Sequence, residues 1–259
     1  MDSTLAKGLA VLEWLARQEQ SVRVTDVAQA FALAPSNAHR TLRTLVECGW
    51  AVQQAGDSTY RASLKLFELG ASVNEAVDLK ALLHPLLGEL AQASGETIHL
   101  AVLLEQEILY LDKFDSPLPV AAYSRIGGRA PAYCVASGKV LLAALGLDRA
   151  ALQQRLGPLQ GHTPHTLTDV DALAKELARA RSDGWAQNKE EWRLGVCGLG
   201  APVFNAQGEP VAAVGMSVPS IRFTRARARE LALQVCRCAE KASGVLGYRP
   251  ASATTRRHP

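Results

Sequence analysis

The stretch from Thr25 to Trp50, TDVAQAFALAPSNAHRTLRTLVECGW, constrains this chain more than any other. Apolar residues recur at helical spacing twice, with a break at Leu33-Ala34-Pro35. Thr25 is placed to cap the first helix, and Asp26 suits its positive end. Val27, Ala28 and Phe31 form its inner face. Pro35 suits the first turn of the second helix, and Ser36 offers a capping hydroxyl. Ala38, Leu42, Leu45 and Val46 then fall at i, i+4, i+7 and i+8, one buried stripe. The opposite face carries Ser36, Asn37, His39, Arg40, Arg43, Thr44 and Glu47. Ser, Asn and Arg on a helix laid in a major groove read base edges or hold phosphate. An ordinary helical hairpin with a solvated polar face is the competing reading of these residues alone.

What flanks the stretch narrows the choice. Leu5, Leu9, Leu12, Leu15 and Ala16 predict a preceding amphipathic helix ending near Gln18. Gly49 ends the second helix, and Trp50 to Gln54, a turn over Ala55 to Ser58, and Thr59 to Ala62 read as a short hairpin. Helix, short helix, exposed helix and hairpin is the order of a winged helix-turn-helix. Thr59 and Arg61 are then placed to reach phosphate or the minor groove from the wing. Charge adds little: residues 1–62 hold six Lys and Arg against six Asp and Glu. Affinity for DNA has to come from position, with Arg40 and Arg43 on one face, and from pairing of two copies.

No apolar run approaches the roughly 20 residues a membrane span needs. The expectation is a protein without a secretory signal and with no membrane partner. The 5 cysteines form no C-x-x-C pair. Cys236-x-Cys238 sits in a helical pattern where i and i+2 diverge, so the thiols are expected free, in a reducing cytoplasm.

Beyond the wing, residues 63–80 are expected as a linker, with a leucine stripe from Leu79 (Leu82, Leu83, Leu86, Leu87, Leu90) that Pro85 kinks or restarts. Residues 81–249 are expected as a second domain and 250–259 as a disordered tail. Strands are predicted at Thr97–Leu104, Ile108–Phe114 and Leu118–Ser124. Helices follow at Ala136–Leu145, Asp148–Leu156 and Asp169–Ser182. Strands return at Trp185–Lys189, Gly198–Asn205 and Pro210–Val218, before a long helix from Thr224 to Leu246. The class is α+β: an antiparallel sheet with helices on both sequence flanks, resembling GAF/PAS-type sensing domains in its order of elements. In the last strand Val211, Ala213, Gly215 and Ser217 share a small, partly polar face with room for a ligand. Ala212, Val214, Met216 and Val218 share a bulkier face suited to packing on a helix.

Three chemical motifs fail. Ser137-Gly-Lys-Val lacks the glycine and the hydroxyl of a phosphate loop, since Tyr133 and Val140 stand there. Gly195-x-x-Gly-x-Gly precedes a strand, the reverse of a dinucleotide fingerprint. His162 and His165 lie in a Pro-containing loop and read as surface rather than metal ligands. No cofactor is implied. Cys134 with His99 is the one conceivable nucleophile–base pair, and spacing does not support it.

The chain resembles the IclR family of bacterial transcriptional regulators almost end to end. The resemblance is carried by Leu5-Ala-Lys-Gly-Leu-Ala-Val-Leu, Ala34-Pro-Ser-Asn-Ala-His-Arg-Thr-Leu, Gly95-Glu-Thr-Ile-His-Leu-Ala-Val, Tyr110-Leu-Asp-Lys, Arg129-Ala-Pro, Ala136-Ser-Gly-Lys, Glu190-Glu-x-x-Leu-Gly and Ala201-Pro-Val-Phe. It implies a winged helix, a linker helix and an effector domain, bound to operator DNA as a homodimer or dimer of dimers and answering to a small organic acid. The alternative is a metabolite-binding or enzymatic domain with a vestigial DNA-binding domain. Carried over by position, the implied effector contacts are Ala136, Ser137, Asn188, Val196, Gly198, Gly215 and Ser217, together with Ala122 and Tyr133. Members that bind two- or three-carbon keto acids commonly have Asp at 188, Cys at 198 and Ser at 215. Asn188, Gly198 and Gly215 therefore imply a roomier pocket with fewer polar anchors. Tyr123, Tyr133, Trp185 and Trp192 are candidate aromatic walls, and Arg125, Arg129 or Arg193 a counter-ion. An aromatic carboxylic acid is the expected effector.

Overall fold

The computed structural model describes residues 3–69, 79–120 and 124–249. The chain divides into two compact units, Met1–Asp78 and Leu79–Pro259. In the first, α1 (Ser3–Ala16), α2 (Val24–Ala30) and α3 (Pro35–Glu47) precede a hairpin of β1 (Ala51–Gln53) and β2 (Tyr60–Ala62). Ala38, Leu42 and Leu45 of α3 are buried against Val11, Leu12 and Leu15 of α1 and Val27 and Ala28 of α2. The helix ends as a glycine at this position requires. Gly49 takes φ +76°, its N–H bonds Val46 O and that of Trp50 bonds Leu45 O, the reciprocal pair of a Schellman motif.

Three local expectations differ. Leu5 and Leu9 do not join the core: they are 60% and 52% exposed, because the buried stripe of α1 runs through Val11, Leu12 and Leu15 instead. Thr25 does not cap α2. The helix begins one residue earlier, with Arg23 at the cap and Asp26 accepting the Arg23 N–H at 2.7 Å. Ser36 does not cap α3 either, because Pro35 occupies the first helical position and puts the cap at Ala34. The hairpin also gains an anchor that local patterning does not reveal: Val22 and Tyr60 exchange both backbone hydrogen bonds, tying the wing to the α1–α2 turn.

The second unit holds a six-stranded antiparallel sheet in the order β5-β4-β3-β8-β7-β6. Its strands are β3 (Thr97–Leu104), β4 (Glu107–Phe114), β5 (Arg129–Pro131), β6 (Ala186–Lys189), β7 (Val196–Phe204) and β8 (Pro210–Pro219). Helices α4 (Leu79–Ser94) and α8 (Arg225–Val245) cover one face, where Ala212, Val214, Met216 and Val218 of β8 are buried as the alternation predicts. The other face carries α5 (Ala136–Ala144), backed by α6 (Arg149–Leu156) and α7 (Val170–Asp183). Asp148, Asp169 and Thr224 cap α6, α7 and α8 through side-chain oxygens. Helix α4 runs through Pro85 without a restart, and Leu82 lies on its exposed side. The third strand is displaced: 118–120 form no strand, 121–123 lie outside the described residues, and the edge strand is Arg129–Pro131. The expected tail, 250–259, lies outside the described residues.

One glycine sets the distance between α5 and the sheet, and a second the distance between α5 and the turn that precedes it. A Cβ on Gly200 of β7 would stand 2.8 Å from Ala136 C and from Ser137 N, and one on Gly138 would overlap the backbone of Ala132. The first turn of α5 therefore lies directly on a strand that has no side chain there. Gly200→Ala is expected to destabilise the second unit by about 1–3 kcal/mol, since backbone rather than a flexible side chain must yield. A urea unfolding curve followed by circular dichroism checks this; an unchanged midpoint refutes the close packing.

Candidate functional site

Two sites emerge, one in each unit. On α3 the side chains of Ser36, Asn37, His39, Arg40, Arg43 and Thr44 are all exposed, opposite the buried Ala38–Leu42–Leu45 stripe. Arg40 Nη2 reaches Asn37 Oδ1 at 3.4 Å, and Arg43 pairs with Glu47 at 2.8 Å. An exposed i, i+4 ion pair contributes little, about 0–1 kcal/mol, so a phosphate can displace Glu47 at small cost. Arg61 is exposed on β2 and Thr25 on α2. Thr59 departs from expectation. It is 6% exposed, and its hydroxyl and N–H both donate to Asp57 Oδ1, at 2.7 and 3.1 Å. It builds the wing turn and has no free donor for DNA. Those two bonds hold the Asp57 carboxyl below its usual range.

In the second unit a cavity of about 380 Å³ opens between the first turn of α5 and the sheet. Loops from the two sheet edges border it, bringing Arg125, Gly128 and Arg129 from one side and Trp192 and Arg193 from the other. Of the implied effector contacts, Ala136, Ser137, Asn188, Val196, Gly198 and Ser217 line it. Gly215 lies beneath Ser137 and His99. Tyr133 faces away: its hydroxyl donates to Gln160 O at 2.8 Å and meets His162 Nε2 at 3.2 Å. Trp185 packs on the α4–α8 side of the sheet. Ala122 and Tyr123 lie outside the described residues.

The glycines do not enlarge the cavity as expected. A Cβ at Gly198 would overlap Asn188 Oδ1, and one at Gly215 would overlap Ser137 Oγ and His99 Nε2. Neighbouring polar atoms fill the space each missing side chain leaves. Asn188 Oδ1 accepts the N–H of Ala136 at 3.3 Å, occupying one of the free amides of α5. His99, missed as a site residue, is opposite Gly215 in register, 4% exposed, and faces the edge of Tyr110 at 4.8 Å. The sequence signs were its place in a strand between apolar neighbours and within the 95–102 motif. Burial, aided by the charge of Lys113, holds the imidazole neutral by lowering its pKa to about 4.

The loop that carries Trp192 is held to α5 by an ion pair. Lys139 of α5, 1% exposed, places Nζ 2.8 Å from Glu191 Oε1 and 2.7 Å from Oε2. It also donates to Gln187 O at 3.3 Å. Burial pushes the Glu191 carboxyl up, and the ammonium opposes that shift. Thr163 and Thr166 donate to the carbonyls of Glu190 and Glu191 at 2.7 and 2.6 Å, and His162 meets the Trp192 ring at 4.5 Å. His162 is thus a packing residue. Cys134 is fully buried, and burial pushes its thiol up to about 12, away from the thiolate form. Among the described residues no His, Cys, Asp and Glu group has metal-site geometry, and no helix is long and apolar enough to cross a membrane.

An exposed recognition helix with a wing, and a separate antiparallel domain holding a small cavity, match known proteins. Residues 4–55 match the IclR helix-turn-helix domain, and residues 71–244 the bacterial transcriptional regulator IclR C-terminal domain. The chain belongs to the IclR family. It is a DNA-binding transcriptional regulator with a C-terminal effector domain, not an enzyme. The HTH-type transcriptional regulator KdgR of Escherichia coli is 34% identical over 248 residues, covering 95% of this chain and 93% of its own. The crystal structure of the Thermotoga maritima IclR is 30% identical, with a TM-score of 0.78 over 96% of this chain and 100% of its own. An IclR homologue from Microbacterium hydrocarbonoxydans, crystallised with 4-hydroxybenzoate, is 26% identical with a TM-score of 0.81, covering 94% and 99%.

Two outcomes follow for this IclR-family effector domain. Lys139→Met is expected to cost about 3–5 kcal/mol, because it strands a buried carboxylate, and adding Glu191→Met recovers most of that. Denaturant unfolding of both variants checks this; equal losses in single and double variants contradict it. His99 also makes stability depend on pH. Its folded-state pKa of about 4 lies below the ordinary 6.5. Its contribution is therefore intact above pH 6.5 and is lost as pH falls toward 4, by about 3 kcal/mol in all. His99→Phe should flatten the stability profile between those limits, measured by thermal unfolding across pH.

Proposed function

We propose that the cavity binds a ring-sized aromatic carboxylic acid, and that its occupancy alters how a homodimer or dimer of dimers seats α3 on operator DNA. The observation that carries the reading is the lining. Apolar ring surface from Trp192 and Tyr110 stands beside Arg125 and Arg193 and beside the amide end of α5. Rings offer stacking area, while guanidinium groups and helix amides take a carboxylate. A volume of about 380 Å³ falls at the small end of the range for ligand pockets, roughly 300–1,000 Å³, and exceeds the needs of a two-carbon acid. The relative crystallised with 4-hydroxybenzoate supports the ligand class.

For DNA, the contacts are Asn37, Arg40, Arg43 and Thr44 in the major groove. Thr25, Ser36 and His39 sit along the groove edge, and Arg61 reaches out from the wing. A unit with balanced charge needs two copies to hold a duplex at physiological salt. In a gel shift with the DNA flanking its own gene, Arg40→Ala is expected to weaken binding by about 1–3 kcal/mol if Arg40 meets a base edge. The salt dependence becomes shallower if it meets phosphate alone. No change in either refutes the α3 assignment. Calorimetric titration should show benzoate-type acids binding more tightly than pyruvate or glyoxylate; the reverse order overturns the aromatic reading.

A further inference from the structure

We propose that Asp112 is a positioning residue that ties the cavity to the DNA-binding part of the chain. Its carboxylate fixes the first two turns of α4, and a bulge in β4 makes that hold answer to what lies against Tyr110. This rests on the reading above that the cavity is where an effector binds.

The chain enters the second unit at Leu79, the first residue of α4, so a signal carried along the backbone to the first unit leaves through that turn. Pro85 loosens it. Lacking an N–H, Pro85 cannot bond the carbonyl of Ala81, and a proline inside a helix is where helices bend. Leu79 and Leu83 give the turn an apolar hold, which has no direction. The directional hold is ionic. Asp112 of β4 is 1% exposed. Its Oδ2 lies 2.5 Å from His84 Nδ1, and its Oδ1 3.6 Å from Lys80 Nζ. Among the described residues its charged partners both stand on α4, so the buried carboxylate is compensated while these turns stay in place. Lys80, His84 and Gly88 fall at i, i+4 and i+8, one stripe toward β4. The His84 ring lies on Phe114 at 4.5 Å, and a Cβ at Gly88 would meet the same ring at 3.3 Å. Strand and helix are matched at three successive levels.

The link to the cavity is the bulge. Leu100 pairs with Asp112 and Ala101 with Tyr110, so Leu111 is an extra residue without a partner on β3. In a regular strand Tyr110 and Asp112 would share a face. Here Tyr110 stands at the cavity, edge-on to His99, while Asp112 reaches α4. One residue separates a cavity wall from the hold on α4. The ladder is already interrupted at that point, so a displacement of Tyr110 passes to Asp112 without breaking further strand pairing.

Asp112→Asn removes the charge and keeps the shape. In hydrogen exchange on the full chain, amides of 79–84 should exchange about tenfold faster, while β7 and β8 keep their protection. In a gel shift with the DNA flanking its own gene, operator affinity should change by about fivefold or more, the usual span of an allosteric coupling. His84→Gln and Lys80→Gln should move both readouts the same way. Adding His84→Gln to Asp112→Asn should change little, since both break one interaction. Leu152→Ala, on α6 across the sheet from α4, lowers stability alone and should leave operator affinity unchanged. Tyr110→Ala, at the cavity wall, should alter exchange across 79–84. Unchanged operator affinity in Asp112→Asn, an equal change in Leu152→Ala, or unaltered 79–84 exchange in Tyr110→Ala overturns the inference. Where Asp112→Asn does not fold, His84→Gln and Lys80→Gln decide by the same two readouts. No arm uses a ligand, so a failure of the aromatic-acid reading in calorimetry stays distinct from a failure here.

Discussion

The effector site depends on a buried ion pair. Lys139 extends from the first turns of α5 to Glu191 in the loop after β6, at 2.7–2.8 Å from both carboxylate oxygens. A single charge at that depth is prohibitive, so the two groups are only stable together. That mutual requirement joins the helix whose amide end faces the cavity to the loop that carries Trp192 and Arg193 over it. The loop has little freedom otherwise: Glu190 is held at φ +57°, a strained value for a side-chain-bearing residue. Hydroxyls of Thr163 and Thr166 fasten it from the other side.

A second constraint is the depth at which α5 sits. Gly200 and Gly138 let the helix approach until backbone meets backbone. The polar character of the cavity is set by whichever side chains reach the glycine positions. Asn188 reaches Gly198, and His99 with Ser137 reaches Gly215. Removing a side chain from a strand did not leave a void. It transferred the polar contact to a residue on a neighbouring strand or helix, as close packing of interiors requires.

Much of this was legible from the chain. The α3 stripe, the hairpin after Gly49, the alternation in β8 and the helices of the second unit follow from periods of 3.6 and 2 and from the glycine stop, whereas both expected N-caps, Thr25 and Ser36, did not form. Misreadings arose where a partner, near or far in sequence, claimed a side chain, or where an apolar residue found no surface to pack on. Thr59 has the composition of a DNA contact, yet Asp57 and the Val22–Tyr60 bridge turn it inward. Leu5 and Leu9 continue an apolar period but stay largely exposed, while Val11, Leu12 and Leu15 enter the core. Tyr133 is spent on Gln160 and His162, which no spacing rule relates to it.

By itself, the sequence determined the local elements, the two-part layout and the family, because each is written in short-range periodicity or in contiguous motifs. Only the tertiary structure decided which motifs meet. Ala136-Ser-Gly-Lys and Glu190-Glu lie about fifty residues apart and read as unrelated, but Lys139 and Glu191 neutralise each other across α5 and the β6 loop. His99 entered the sequence reading only as a conceivable base for Cys134, but the pairing of β3 with β8 sets it over Gly215 at the cavity. The physical reason is the same in both cases: burial and charge pairing depend on distance in space, and chain separation carries no information about either.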